Sequence, residues 1–207
     1  MAKLGWRSFV PKRYWRPSYF ADRLRLLRWQ RANPQAPWLA PESIAFIEQW
    51  LSPSDTVVEF GAGRSTTWFA TRVKRVVSIE HHKDWFGRVA SELSQANINN
   101  VDLILGSPAS ADYLKQLSDL DVRPTVVLVD GRDRSECAKW ALENIEDDGL
   151  IIIDNVERYL ASDSRGPESI GRDKPLSPEW EQFENAIRHN RQAWYDCGIW
   201  STLVVFR

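Results

Sequence analysis

Five short apolar runs rich in valine, isoleucine and leucine recur between residues 55 and 154, and helix-forming segments separate them. Runs that are apolar on both faces are typical of central parallel strands, because helices cover such a sheet on both sides. The alternation therefore predicts an α/β fold with a mostly parallel sheet between two helical layers. The expected strands are residues 55–60, 75–80, 101–106, 125–130 and 149–154, and the expected helices between them are residues 64–73, 82–97, 109–120 and 135–145.

The last quarter of the chain departs from this alternation. Residues 161–178 are polar and rich in glycine, proline and serine, and a connection of this length is typical of a lid or a mobile loop. A predicted helix at residues 179–190 is followed by two predicted strands, at residues 192–197 and 200–206, that only two residues separate. We expect these two strands to form an antiparallel hairpin at the edge of the sheet.

The composition is that of an ordinary globular protein. The chain has 207 residues, which suit one domain, and 43% of them are hydrophobic and 27% charged. No apolar run reaches the roughly 18 residues of a membrane helix, and no secretory apolar segment follows the first methionine. Cys137 and Cys197 lie far apart without metal-ligand spacing, which favours a reduced compartment. We therefore expect a cytoplasmic protein without a membrane span.

The charge is concentrated at the N-terminal end. The net charge of the chain is −1, yet residues 1–31 contain nine basic residues and one acid, interleaved with tryptophan and tyrosine. Such a segment can bind phosphates, anionic lipid or acidic sugars, or it can pack on the main domain or on a second subunit of a homodimer. We expect residues 1–40 to form a basic aromatic arm with a short helix at residues 18–31 that has Leu24, Leu26 and Leu27 on or near one face, and residues 41–207 to form the main domain, beginning with a helix at 41–51.

A glycine loop follows the first predicted strand, in the stretch VVEFGAGRSTT at residues 57–67. The dinucleotide fingerprint would need a third glycine at position 66, where this chain has a threonine, and a P-loop would need a lysine. Acidic residues stand on both sides of the loop, Glu59 before it and Glu80 at the end of the second strand. A loop between two acids would repel a pyrophosphate and would suit a cationic ligand.

Four motifs at successive strand ends, EFGAGRS, VSIE, LVDG and IIDN, resemble those of the class I S-adenosylmethionine-dependent methyltransferases over about residues 40–207. The resemblance implies a three-layer Rossmann-like fold whose seven-stranded sheet is mostly parallel and ends in a C-terminal antiparallel hairpin. It also implies S-adenosylmethionine as cofactor, with Glu80 on the ribose and His81 beside the adenine, although His81 is alternatively a surface histidine at a helix start. The cofactor-binding residues that it implies are Glu59, Gly61, Ala62, Gly63, Ser65, Glu80, His81, Gly106, Ser107 and Asp130.

Asp130, Asp154 and Asn155 follow the fourth and fifth strands and are the candidate catalytic residues. Their spacing is similar to that of the catechol-type O-methyltransferases, which implies a possible Mg²⁺ site of hard oxygen ligands. The lysine that serves that group as general base is absent, and Arg132 and Arg134 stand near its position. Arginines there suggest an anionic acceptor. Alternatively, Asp130 only orders the amino group of the cofactor and the arginines pair with neighbouring acids.

The sequence thus predicts an enzyme, an S-adenosylmethionine-dependent methyltransferase that methylates an oxygen of a small molecule or a sugar with anionic character. Asp130, Asp154 and His82 are candidates to take the acceptor's proton, while Tyr159 and residues 161–178 are candidates to contact the acceptor. The alternative is a methyltransferase-like binding module whose basic arm engages polyanions or a partner protein. Nucleic-acid acceptors are disfavoured because no Asn/Asp-Pro-Pro-Tyr/Phe motif follows the fourth strand.

Overall fold

The computed structural model describes residues 16–106, 114–117 and 122–207 of the chain. The helices are α1 (Pro17–Ala32), α2 (Pro41–Trp50), α3 (Arg64–Ala70), α4 (Lys83–Gln95), α5 (Arg134–Asn144) and α6 (Pro178–Ile187), with a 3-10 turn at Val156–Arg158. The strands are β1 (Thr56–Phe60), β2 (Arg75–Glu80), β3 (Val101–Leu105), β4 (Val126–Val129), β5 (Leu150–Asp154), β6 (Gln192–Asp196) and β7 (Ser201–Phe206).

The strands form one seven-stranded sheet in the order β3-β2-β1-β4-β5-β7-β6. The first five strands pair in parallel, whereas β7 pairs antiparallel with both β5 and β6. This confirms the predicted fold class, including the C-terminal hairpin. The strand order reverses between β1 and β4, and in open α/β sheets the crevice at such a reversal, outside the carboxyl ends of the strands, is where ligands bind.

Alternate residues of the central strands supply two apolar cores, one on each face of the sheet. On one face, Phe60 of β1 packs edge-on against Trp140 of α5, in a core that α6 completes. On the other face, the neighbouring Val57 packs in a core with residues of α2 and α3. Because both faces are covered, β4 and β5 are buried along their whole length, as their continuous apolar runs predict.

Helix α1 lies against the carboxyl-end side of the domain and is anchored through a buried acid. Asp22 accepts hydrogen bonds from Arg25 at 3.1 Å and from Arg165 at 3.2 Å. Leu26, one turn later on the same face, is 3% exposed, whereas Leu24 is 49% exposed. The predicted helix at the end of the basic segment is therefore present, but only one of its leucines is fully buried.

Two other predicted segments have different outcomes. Residues 161–177 contain no helix or strand, and the backbone amide of Ile170 donates to the carbonyl of Glu157 at 2.9 Å, so this connection packs on the domain. Of the helix predicted at residues 109–120, residues 114–117 are helical and the remainder lies outside the described residues. No helix within the described ranges is both long enough and apolar enough to cross a membrane.

Candidate functional site

A cleft of about 470 Å³ opens at the carboxyl ends of β1, β2 and β4, beside the point where the strand order reverses. We call it the loop cleft, because the glycine loop forms one wall. Its volume lies in the range of pockets that hold cofactors and other small ligands. The described residues that line it are Trp38, Gly61, Ala62, Gly63, Arg64, Ser65, Glu80, His81, Trp85, Arg88, Glu92, Asp130, Gly131 and Arg132.

The two glycines of the loop serve different purposes. Gly61 has φ +99°, and a β-carbon there would lie 2.9 Å from the backbone nitrogen of Gly131. A side chain at this position would therefore be strained and would push β1 away from the turn after β4. At Gly63 a β-carbon would meet only the Nε1 atom of Trp85, at 3.9 Å. Gly61 is thus required by the packing of the two strand ends, whereas Gly63 leaves open space beside the cleft.

Glu59 lies beneath the loop and not among the residues that line the cleft. It is fully buried, and its Oε2 atom accepts hydrogen bonds from Thr66 at 2.5 Å and from Ser78 at 2.6 Å. Burial raises the pKa of Glu59 to about 7, although the neighbouring hydroxyl groups oppose the shift. Glu59 therefore holds the first turn of α3 in place, and its predicted contribution to the methionine pocket is through the position of the loop.

Glu80 is 5% exposed and lies in the wall of the loop cleft, at the end of β2. Its Oε1 atom accepts a hydrogen bond from the backbone amide of His82 at 2.6 Å and lies 3.1 Å from Nδ1 of His81. His81 also lines the cleft. His82 instead caps α4, where its Nδ1 atom accepts from the amide of Trp85 at 3.4 Å, so it is displaced from the candidate chemistry.

The remaining two residues of the predicted cofactor set lie at the end of β3. Gly106 is buried, and its amide donates to the carbonyl of Glu80 at 2.8 Å, so it belongs to the strand ladder next to the cleft wall. It is not among the described residues that line the loop cleft. Ser107 lies outside the described residues.

A second cleft of about 380 Å³ adjoins the first at the carboxyl ends of β4 and β5. We call it the rim cleft. The two clefts share Trp38 and Asp130, so Asp130 faces both. All three predicted catalytic residues line the rim cleft, which is formed by Arg23, Gln30, Trp38, Asp130, Asp154, Asn155, Arg158 and Trp200.

Arg134 at the start of α5 joins the ends of β4 and β5. Its guanidinium donates to Oδ1 of Asp130 at 2.7 Å, to the carbonyl of Gly131 at 3.1 Å and to the carbonyl of Asp154. We call this set of contacts the Arg134 latch. The Arg134 side chain itself is only 11% exposed to water. Of the two alternatives for these arginines, Arg134 follows pairing with an acid, namely Asp130, while the exposed Arg132 lines the loop cleft.

The two rim carboxylates differ in their electrostatic surroundings. Burial raises the pKa of Asp130 to about 6, and the charge of Arg134 opposes the shift. Asp154 is 2% exposed, and burial together with the charge of Asp130 raises its pKa well above the usual range, against the hydrogen bond of 2.8 Å from Thr202. Asp130 is therefore the rim carboxyl group that ionises more readily at neutral pH.

The donor set of the rim fits a divalent ion poorly. One oxygen of Asp130 is occupied by Arg134 and one oxygen of Asp154 by Thr202. A protonated aspartic acid is a weak ligand, and a guanidinium already supplies positive charge at this edge. Within the described ranges, no three histidine, cysteine, aspartate or glutamate side chains are grouped as metal ligands would be.

Sequence reasoning missed the residues that come to the clefts from elsewhere in the chain. Trp38 precedes α2, Arg23 lies on α1, and Trp200 lies just before β7. Arg158 differs from these three residues, because it lies three positions after the IIDN motif. Tyr159, predicted to contact the acceptor, instead stacks on Trp180 of α6 with ring centroids 4.8 Å apart.

Comparison with known proteins supports a methyltransferase-like architecture. No family model matches the chain. Over 117 residues, 55% of this chain, it is 30% identical to a Methanobrevibacter smithii protein described as a probable cobalt-precorrin-6B C(15)-methyltransferase (decarboxylating). The match spans about 60% of the length of that relative.

Solved structures extend the likeness over most of the chain. An O-methyltransferase from Bacillus cereus in complex with SAH superimposes with a TM-score of 0.59 at 18% identity, covering 90% of this chain and 91% of that one. An rRNA methylase from Streptococcus thermophilus superimposes with a TM-score of 0.56 at 17% identity, covering 83% of this chain and 98% of that one. The resemblance found at the strand ends is confirmed: the chain has the fold of the class I S-adenosylmethionine-dependent methyltransferases.

Proposed function

We propose that this protein is an S-adenosylmethionine-dependent methyltransferase that methylates an oxygen atom of a small molecule or sugar with anionic character. The observation that carries the proposal is the pair of adjoining clefts at the carboxyl ends of the parallel strands, with Asp130 facing both. One cleft suits the methyl donor and the other the acceptor. The relatives named as methyltransferases support the reaction class, and the divergence of their acceptors leaves the acceptor to be identified.

The residues of the loop cleft fit the proposed donor. Glu80 presents a buried carboxylate at the end of β2, where a ribose hydroxyl pair can be bound. Beside Gly63 the backbone leaves space into which a ligand can approach, and Ser65 is a hydroxyl-bearing residue of the same wall. When bound, S-adenosylmethionine supplies a methyl group on a sulfonium that is already activated for transfer.

The chain's own residues would then orient the acceptor and remove its proton. If the acceptor atom is a hydroxyl oxygen, it would take the methyl group that the bound donor supplies, and a side chain of the rim would have to accept the hydroxyl proton. Asp130 is the best-placed base, because it faces both clefts and its pKa of about 6 leaves it largely ionised at neutral pH. Asp154 is less suited to act as the base, because it is only 2% exposed and burial together with the charge of Asp130 raises its pKa well above the usual range.

The catechol-type resemblance implies Mg²⁺, so the need for this ion has to be tested. The latch from Arg134 to Asp130 provides positive charge where a metal ion would otherwise be needed. We therefore propose that donor binding and methyl transfer do not need a metal ion. Donor binding measured in Mg²⁺ and in EDTA tests this.

Titration calorimetry with S-adenosylmethionine and SAH, with NAD as the control ligand, tests the donor. We expect micromolar binding of the first two and none of NAD, with the same affinity in Mg²⁺ and in EDTA. Glu80→Ala should weaken SAH binding at least tenfold, whereas His82→Ala, which changes the adjacent helix cap, should not. Failure of both sulfur ligands to bind the wild-type protein would overturn the proposal.

The second candidate is a methyltransferase-like binding module that engages a polyanion. One observation favours this candidate. Four arginines on or next to helix α1 are exposed, namely Arg16, Arg25, Arg28 and Arg31. Electrophoretic mobility shifts with RNA and heparin test this candidate. Salt-sensitive binding to these polyanions in a protein that fails to bind SAH would favour the module over the enzyme.

A further inference from the structure

The residues that line the rim cleft indicate which chemical class of acceptor it binds. We infer that it binds a ring-bearing small molecule through an oxyanion, a carboxylate or phosphate group, which Arg23 of α1 and Arg158 hold between the walls formed by Trp38 and Trp200. The inference rests on the proposed function where it takes this cleft as the acceptor site, but anion binding is measurable without turnover. It also makes the basic N-terminal helix a part of the active site.

The cleft holds two guanidinium groups that no described acid contacts directly, although the charge of Arg158 opposes the raised pKa of Asp130 and of Glu157 from a longer distance. Both arginines line the cleft, and within the described residues neither guanidinium group makes a hydrogen bond or a direct ion pair. The acids nearby are already accounted for: Asp130 is paired with Arg134 at 2.7 Å, and Asp154 bonds with Thr202. Two unpaired guanidinium groups converging on one concave site are suited to bidentate recognition of an oxyanion.

The two tryptophans of the rim cleft indicate that the ligand contains a ring. Trp38 is 55% exposed, a large apolar surface for a side chain that stands between the two clefts. Trp200 also lines the cleft, and its buried indole Nε1 has no hydrogen-bond partner within the described ranges. Tryptophan faces bind aromatic or sugar rings, so the walls and the arginines together select a planar or cyclic anion.

The positions of the two arginines relative to Asp130, the proposed base, indicate how the ligand would be oriented. Arg158 follows β5 and Arg23 reaches the cleft from α1, whereas Asp130 stands at the boundary with the loop cleft. A ligand whose anion is held by the arginines can therefore direct a hydroxyl on the other side of its ring toward Asp130. The volume of about 380 Å³ suits one small cyclic molecule and not a polymer.

Calorimetry on the full chain saturated with SAH tests the inference with two matched probe pairs. The first pair is 4-hydroxybenzoate and its neutral analogue 4-hydroxybenzamide, and the second is glucose 6-phosphate and glucose. At least one anion should bind ten times more tightly than its neutral analogue. The pair that shows the difference distinguishes a carboxylate on an aromatic ring from a phosphate on a sugar.

Arginine variants then assign the site. Arg23→Gln and Arg158→Gln should each lower the affinity for the preferred anion about tenfold and leave SAH affinity within twofold of wild type. Arg28→Gln is the matched control, because Arg28 is exposed on the same helix, roughly 140° around it from Arg23. The inference is overturned if neither anion binds more tightly than its neutral analogue, or if Arg28→Gln weakens binding as much as Arg23→Gln. Loss of SAH binding by the wild-type protein would instead overturn the proposed function.

Discussion

The hydroxyl of Thr66 bonds with the buried carboxylate of Glu59 at 2.5 Å and accepts a hydrogen bond from the amide of Gly63 at 2.9 Å. One side chain in the first turn of α3 therefore ties β1 to the glycine loop. A dinucleotide-binding loop has its third glycine at this position, so the departure from that fingerprint has a structural role here. The loop geometry depends on a buried polar cluster beneath the cleft.

Thr66→Val should destabilise the protein by about 1–3 kcal/mol, because the amide of Gly63 loses its partner and the buried carboxyl group of Glu59 keeps only the hydrogen bond from Ser78 of the two. Thr67→Val is the matched control, since the neighbouring Thr67 is only half-buried and its hydroxyl makes no hydrogen bond within the described ranges. Urea unfolding of both variants measures the difference. Equal stability of the two would show that the cluster does not hold the loop.

Glu59→Gln should change how the free energy of unfolding depends on pH. The native pKa of Glu59 is raised from 4.5 to about 7, so its contribution to stability is fully present below pH 4.5 and is lost as the pH rises through about 7. Glutamine does not ionise, so the stability of the variant relative to wild type should improve by about 2–3 kcal/mol between pH 4.5 and 8. Urea unfolding at a series of pH values measures the difference curve. If the difference in unfolding free energy does not vary with pH, the carboxyl group of Glu59 is not kept protonated in the folded protein.

Substitution of the two loop glycines should separate folding from binding. Gly61→Ala should cost about 2–4 kcal/mol of stability, because φ is +99° and the new methyl group would meet the backbone of Gly131. Gly63→Ala should change stability by less than about 1 kcal/mol but weaken SAH binding, since its methyl group would enter the space beside Trp85. Thermal unfolding and calorimetry on both variants provide the two readouts. Normal stability of Gly61→Ala would contradict the close approach of the strand ends.

Arg134→Met should destabilise the protein by about 1–3 kcal/mol, because it leaves the partly exposed carboxylate of Asp130 without its cation and charged hydrogen-bond donor. It also removes hydrogen bonds that connect the ends of β4 and β5. Arg132→Met, two residues earlier and exposed, should change stability by less than about 0.5 kcal/mol. Denaturant unfolding distinguishes them. A small effect of both variants would mean that the latch is not formed in solution.

The rate of methyl transfer should rise with pH through about 6. The proposed base must be ionised to accept a proton, and the pKa of Asp130 is about 6. With an acceptor identified by screening, kcat/KM measured between pH 5 and 8 should show this rise and a plateau above it. Asp130→Asn should lower the rate by about a hundredfold or more and abolish the rise. Full activity of Asp130→Asn would exclude Asp130 as the base.

Local patterns were sufficient to predict the sheet. The apolar runs of β4 and β5 are too continuous for a strand with one wet face, and their regular alternation with helices implies parallel strands. In a parallel sheet all carboxyl ends lie at one edge, so residues that follow the strands, such as Glu80, Asp130 and Asp154, could be placed at a common site without knowledge of the strand order. This is why the predicted rim residues do line one cleft.

Contacts between distant parts of the chain were decided only by the tertiary structure. The sequence pattern treats Gly61 and Gly63 alike, but only Gly61 lies against the turn after β4, because β1 and β4 are neighbours across 65 residues or more of chain. The rim cleft likewise gathers Arg23, Trp38 and Trp200 from both ends of the sequence. Hydrophobic periodicity determines which face of an element is buried, whereas packing of whole helices and loops on the sheet determines which polar side chains meet at its edge.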